Sequence, residues 1–224
     1  EILATVSVER DDDGVVRPST EHRAATWSYE PGSIIKPLTF SALLDAGLAE
    51  PDTAREVPYR IYVHDSDFTD SSFHENEEWT VAEIVRRSSN VGTIMWAQET
   101  GRTALHAKLV DFGLGQATGL GFPGEANGIL LPLAKWSGTS LPTIAIGQGV
   151  AATPIQMLTS YATLANRGVR RAPTLVLGMR DHGGVFVSVG NDVGRRVVSE
   201  ATAEELVVMM EEAVRSGTGT RAQV

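Results

Sequence analysis

Residues 30–39 read EPGSIIKPLT, with Ser33 three positions before Lys36 at the start of an apolar, periodic segment. Positions i and i+3 of a helix share a face, so these two side chains can meet over one site. A serine hydroxyl is a weak nucleophile until a base takes its proton. A neutral lysine amine can be that base when burial lowers its pKa. A serine at a helix start also has an unpaired backbone N–H that can stabilise a developing oxyanion. Only three of the 19 cationic residues are lysines (Lys36, Lys108 and Lys135), so a lysine beside a serine is not a frequent accident here. Ile34 and Ile35 imply that the turn is buried or lines a cleft, where a lysine needs a reason. Taken alone, Ser-x-x-Lys is most often an ordinary surface helix start.

A second polar element, Ser88-Ser89-Asn90, interrupts two helical patterns. As a bland feature it is a loop between helices. As a functional one it supplies a hydroxyl that relays a proton and an amide that binds a substrate carbonyl. Ser-x-x-Lys, then Ser-x-Asn, then Lys-Thr-Gly is the motif set of penicillin-binding proteins and class A β-lactamases. The first two stand here in that order.

The elements that must position these residues are legible in part. Residues 1–9 (EILATVSVE) alternate loosely and predict a strand, followed by a polar, turn-rich loop. A helix is expected over 33–48, with Gly47 near its end. Residues 51–79 carry no sustained period and read as an acidic, irregular stretch. TVAEIVRRS predicts a helix with a Thr80/Glu83 capping box, and helices follow over 91–100 and 103–112. The glycine-rich run 113–132 reads as a structured loop. TPIQMLTSYATLAN has Thr153 as cap, Pro154 at the first helical position and Gln156 closing the box. APTLVLGMR and GVFVSVG read as strands joined by a turn. A last helix is expected from Thr202, with Glu205 completing a capping box and Met209 and Met210 on its apolar face. Helices in the middle and strands towards the ends give a mixed α+β class.

Composition narrows the function. The chain has 224 residues, 42% of them apolar, and a net charge of −9. Such an acidic chain without a basic stripe argues against nucleic acid as a partner. The absence of cysteine excludes disulfides, thiolate metal sites and a cysteine nucleophile. No apolar run reaches the ~20 residues of a membrane span.

Over nearly its whole length the sequence resembles the transpeptidase domain of class B penicillin-binding proteins, most closely the cell-division (septal) type. EILA, YEPGSIIKPLT, TVAEIVRRSSNVGTIMWA, FGLGQATGLGFPGEANGILLP and AIGQGVAATPIQMLTSYATLANRGV carry the likeness. The last two segments are long and idiosyncratic. The resemblance implies one transpeptidase domain over 1–224, with an antiparallel sheet flanked by helices and a mostly helical subdomain. It makes Ser33 the acylated nucleophile and Lys36 its general base. Ser88 becomes the proton relay to the leaving amine, and Asn90 a binder of the acyl-donor peptide. It further implies stem peptides ending in D-Ala-D-Ala as donors, an amine acceptor, β-lactams as inhibitors, and no cofactor or metal. A glycosyltransferase and other division proteins would be partners of the full-length protein at the extracytoplasmic face of the membrane. The Lys-Thr-Gly element is absent from the sequence, where SGTGT near the end lacks the lysine. The domain is therefore expected to be cut short at both ends relative to the family.

Bland readings apply elsewhere. Residues 64–78, with His64 and His74, are expected to be a solvated loop that binds no ion specifically. Counted from Asp65, the calcium-loop pattern fails because Asp70 stands where glycine is needed and Asn76 where the bidentate glutamate belongs. Glu125 is read as structural. The alternatives are a serine β-lactamase or β-lactam sensor, or a catalytically inactive scaffolding module of the division machinery.

Overall fold

The structure is a computed structural model that describes residue 2, residues 4–188 and residues 193–223. A hairpin of β1 (Val8–Arg10) and β2 (Val16–Pro18) is followed by a short helix, α1 (Arg23–Thr26). A 3₁₀ turn, Gly32–Ile35, leads directly into α2 (Lys36–Asp45). Next come β3 (Ala54–Val57), β4 (Arg60–Val63), β5 (Ser66–Thr69) and β6 (Glu77–Thr80), then α3 (Val81–Arg87), α4 (Asn90–Thr100) and α5 (Arg102–Phe112). Beyond the glycine-rich loop lie a 3₁₀ turn (Leu133–Lys135), α6 (Ser140–Ala145) and α7 (Pro154–Ala165). The chain continues with β7 (Val169–Arg170), β8 (Gly178–Arg180), β9 (Phe186–Ser188), β10 (Arg195–Arg196) and α8 (Glu200–Ser216).

The centre of the molecule is α2. Every residue from Lys36 to Leu44 is buried, and the helix packs against α4, α5 and α8. A helix buried on all sides has no solvent stripe: Phe40, Leu38 and Leu43 are fully enclosed, and the buried Thr39 and Ser41 hydroxyls donate to Ala145 O and Leu38 O. Burying such side chains contributes about 1.5–3 kcal/mol each. Lys36 is the charged member of this run and sits at its N-terminal end.

The class is the expected mixture of helix and antiparallel strand. Among the described residues, however, the strands pair two by two: β1 with β2, β3 with β6, β4 with β5, β7 with β10 and β8 with β9. The stretch 51–79 is ordered, with the β4–β5 ladder nested inside the β3–β6 ladder. These four-residue strands bury only an occasional side chain, such as Val57, Val63 or Trp79, which is too little for an alternating pattern to emerge.

Several boundaries differ from expectation. The first strand is Val8–Arg10, overlapping the expected region 1–9 at Val8 and Glu9 alone, and Glu1 and Leu3 lie outside the described residues. The strands expected over 172–180 and 184–190 shorten to β8 and β9, with Val189 and Gly190 outside the described residues. Helix α8 begins at Glu200 because Ser199 Oγ accepts the Thr202 N–H at 3.2 Å, so Ser199 is the cap and Thr202 lies inside the helix. The capping boxes at Thr80/Glu83 and Thr153/Gln156 are both formed. Met209 is buried and Met210 packs against the same core. No helix of the described residues is long and apolar enough to cross a membrane.

Candidate active site

Ser33 occupies the second position of the 3₁₀ turn, with its side chain exposed. Of the two flanking isoleucines only Ile35 is buried. Ile34 is 41% exposed, so the turn lies at a surface rather than inside the core. Three contacts from the segment after α6 hold it. Gly32 N–H donates to Gly147 O at 2.9 Å, Gly149 N–H donates to Glu30 Oε1 at 2.8 Å, and Tyr29 pairs with Ala152. From α7, Tyr161 Oη–H donates to Ile34 O at 2.8 Å, and burial pushes this phenol up to about 12, so it stays a donor. Gly147 has φ +86°, and a Cβ there would lie 2.0 Å from Gly32 O. The close approach requires glycine. No described residue accepts a hydrogen bond from the Ser33 N–H, which leaves that donor free for an oxyanion.

Lys36, one turn on, is 2% exposed. Its Nζ donates to Ser88 O at 2.5 Å, Asn90 Oδ1 at 2.8 Å and Ser88 Oγ at 3.2 Å. Three acceptors match the three N–H bonds of an ammonium, and none of them is Ser33 Oγ. Desolvation lowers the Lys36 pKa from 10.5 to about 8, with the Asp70 carboxylate opposing the shift. The neutral amine is therefore accessible near physiological pH, and it has a lone pair that the ammonium lacks.

The structure thus brings Lys36, Ser88 and Asn90 into direct contact, with Ser33 on the adjoining turn. Ser88 caps the C-terminus of α3 with φ 56° and ψ 39°. A non-glycine residue in this left-handed region costs of order 1–2 kcal/mol and persists only where its surroundings impose it. Ser89 is the N-cap of α4, its Oγ accepting the Gly92 N–H at 2.9 Å. Asn90 opens α4 and donates from Nδ2 to Thr69 O at 3.0 Å. Its second Nδ2–H remains available to a substrate carbonyl.

Sequence reasoning missed Asp70. It lies within the stretch expected to be a solvated loop, yet it is only 8% exposed and accepts hydrogen bonds from Ser89, Asn90 and Val91. Its sole signal in the sequence is negative, as the residue that spoils a calcium-loop pattern. His74 is drawn in with it, 3.0 Å from the Asp70 carboxylate and packed at a tilt against the Trp79 ring. The imidazole of His64 instead covers Gly138, where an added Cβ would lie 2.7 Å from the ring. Glu125 accepts from Thr118 N–H and Thr118 Oγ1–H within the glycine-rich loop, a structural role.

Comparison with known proteins places this geometry. The family described as "Penicillin binding protein transpeptidase domain" matches residues 1–224. Penicillin-binding protein PbpB of Mycolicibacterium smegmatis is 37% identical over 203 residues, 88% of this chain and 31% of that protein. Peptidoglycan D,D-transpeptidase FtsI of Escherichia coli K12 is 30% identical over 214 residues, 94% of this chain and 34% of that protein. The chain therefore spans about a third of the length of these curated relatives. Crystal structures of penicillin-binding protein 3 from Mycobacterium tuberculosis, complexed with aztreonam or ampicillin, superpose with a TM-score of 0.89 at 34% identity. They cover 92% of this chain and 48% or 47% of theirs. The chain belongs to the penicillin-binding protein transpeptidase family.

Proposed function

We propose that this chain is the catalytic unit of a septal peptidoglycan D,D-transpeptidase that works through a serine acyl-enzyme and is a target of β-lactams. The observation that carries the reading is the contact of buried Lys36 with both Ser88 and Asn90, one helical turn below exposed Ser33. The names of the relatives and the β-lactam complexes of the M. tuberculosis protein support the same chemistry.

In the first step neutral Lys36 accepts the Ser33 Oγ proton as Oγ attacks the carbonyl carbon of the D-Ala-D-Ala peptide bond. The Ser33 N–H donates to the resulting oxyanion, and Asn90 Nδ2–H to a carbonyl of the donor peptide. Collapse breaks the C–N bond. The proton on Lys36 reaches the leaving D-alanine amine through Ser88 Oγ, which lies 3.2 Å from Nζ. An amine from a neighbouring stem peptide then attacks the ester and surrenders a proton to Lys36, which passes it to Ser33 Oγ as the acyl C–Oγ bond breaks and the free serine is restored. A β-lactam acylates Ser33 by the same first step, but its ring nitrogen stays tethered and blocks the acceptor. For the full-length protein, the resemblance extends the reading to the extracytoplasmic face of the membrane and to a glycosyltransferase and other division proteins as partners.

Labelling with a fluorescent penicillin tests the assignment. The native protein should retain a stoichiometric, long-lived adduct and Ser33→Ala none. Label that survives Ser33→Ala overturns the role of Ser33. Rapid turnover of the adduct would replace the transpeptidase with a β-lactamase.

A further inference from the structure

The 88–90 turn presents two of the four site residues, yet neither α3 nor α4 alone fixes it. Its anchor arrives from about twenty residues upstream in the sequence. Asp70 Oδ1 accepts the Asn90 N–H at 2.5 Å and the Val91 N–H at 3.0 Å. Asp70 Oδ2 accepts the Ser89 hydroxyl at 2.7 Å and lies 3.0 Å from His74 Nε2. The preceding carbonyl, Thr69 O, takes the Asn90 side-chain N–H at 3.0 Å. A carboxylate at the N-terminus of an eleven-residue helix satisfies two of its orphan N–H groups and complements the helix dipole. Asp70 is itself held by its own N–H, which donates to Tyr59 O at 3.1 Å.

We propose that Asp70 is a positioning residue of this active site, holding the 88–90 turn so that Ser88 Oγ and the Asn90 amide face Lys36 and the substrate. The inference rests on the transpeptidase reading and adds to it a residue outside the three motifs. Asp70 acts in two ways. Its hydrogen bonds fix the Ser89 side chain and the Asn90 and Val91 backbone directly after the left-handed Ser88, while the adjoining Thr69 O holds the Asn90 side chain. Its charge, facing Lys36 across the turn, favours the ammonium and so opposes the desolvation that lowers the lysine. The other charged groups near Asp70 are His74 on its own loop and Arg86 and Arg87 of α3, which line a cavity of about 330 Å³ behind the turn. Arg87 is in turn 3.9 Å from Glu77 of β6.

Two substitutions separate the two effects. Asp70→Asn is isosteric. Its Oδ1 still accepts from Asn90 and Val91, and its NH₂ can donate to a neutral His74 ring and to Ser89 Oγ, but the charge is gone. Asp70→Ala removes acceptors and charge together. The second-order rate of acylation by a penicillin should be followed on both sides of pH 8, with hydrogen exchange of the Asn90 and Val91 amides measured on the same proteins.

The native rate should rise through a limb near 8. In Asp70→Asn the plateau should fall less than about tenfold while the limb moves to lower pH, since the ammonium loses its favourable neighbour. A merely structural residue would leave the limb where it was. In Asp70→Ala the plateau should fall by about 10² or more, the scale of misplacing catalytic groups by an ångström, and both amides should exchange faster. A limb unmoved in Asp70→Asn, or a folded Asp70→Ala that acylates at the native plateau, overturns the proposal. If Asp70→Ala does not fold, the Asp70→Asn limb decides alone. If the native protein is not acylated on Ser33, the transpeptidase reading has failed instead. The amide exchange of Asp70→Ala, read without substrate, then still judges the anchor: unchanged exchange rejects it.

Discussion

Two turns converge on Lys36, and they are held in different ways. The turn around Ser33 is continuous with α2, whose first nine residues are all buried. It is braced from outside by Gly147, Gly149 and Tyr161. The turn at 88–90 joins two helices, passes through a left-handed serine, and depends on a buried carboxylate from a separate loop. The position of the proposed nucleophile is thus set by the buried helix it opens, close backbone approach and a few scattered hydrogen bonds, and that of the proposed relay and binding residues chiefly by hydrogen bonds to one buried carboxylate. Packing tolerates little change in volume, whereas a hydrogen-bonded anchor is sensitive to protonation and to loss of single polar atoms. The site combines a rigid half with a tunable one.

The largest effect should come from the residue both halves share. Lys36→Arg keeps a cation that can donate to Ser88 and Asn90 but cannot lose its proton at any accessible pH. Acylation by a penicillin should fall by about 10²–10⁴, the usual contribution of a general base. A normal rate would assign the base to another group and dissolve the pairing of the two turns.

Next in size is a strike at the packed half. In Gly147→Ala the new methyl group would fall 2.0 Å from Gly32 O, with φ at +86°, so the backbone before Ser33 must move. Acylation should drop by about 10², because displacement of a nucleophile by an ångström costs on that order. Stopped-flow labelling is the measurement. An unaffected rate would mean that the turn does not need its brace.

The smallest expected effect strikes the hydrogen-bonded half. Ser89→Ala removes the cap of the Gly92 N–H and one donor to Asp70. Loss of such a cap costs about 1 kcal/mol in thermal or denaturant unfolding. Acylation should slow by no more than about tenfold, since Asp70 retains the Asn90 and Val91 amides. A loss as large as that of Gly147→Ala would show the second turn to be the more fragile of the two.

The same contrast explains what could be read from sequence. Ser33 and Lys36 are legible because the helix that joins them imposes a local spacing, and Thr80/Glu83 and Thr153/Gln156 because capping is local chemistry. The start of α8 misleads because two overlapping cap patterns compete, and Ser199 Oγ takes the Thr202 N–H first. The ladders within 51–79 escape notice because each strand is four residues long and mostly polar or half-exposed. Asp70 escapes for a deeper reason. Its partners lie about twenty positions away across a β-ladder and a helix, and no spacing rule connects an aspartate to an N-terminal turn that far along the chain.

The central claim is that buried Lys36, neutral when it acts, is the base for Ser33. The pH dependence of native acylation by a penicillin tests it most directly. The second-order rate should climb as pH rises through about 8, where the ammonium gives up its proton, and then level off. A rate that is flat across that region, or that turns over near the ordinary histidine value of about 6.5, would contradict it.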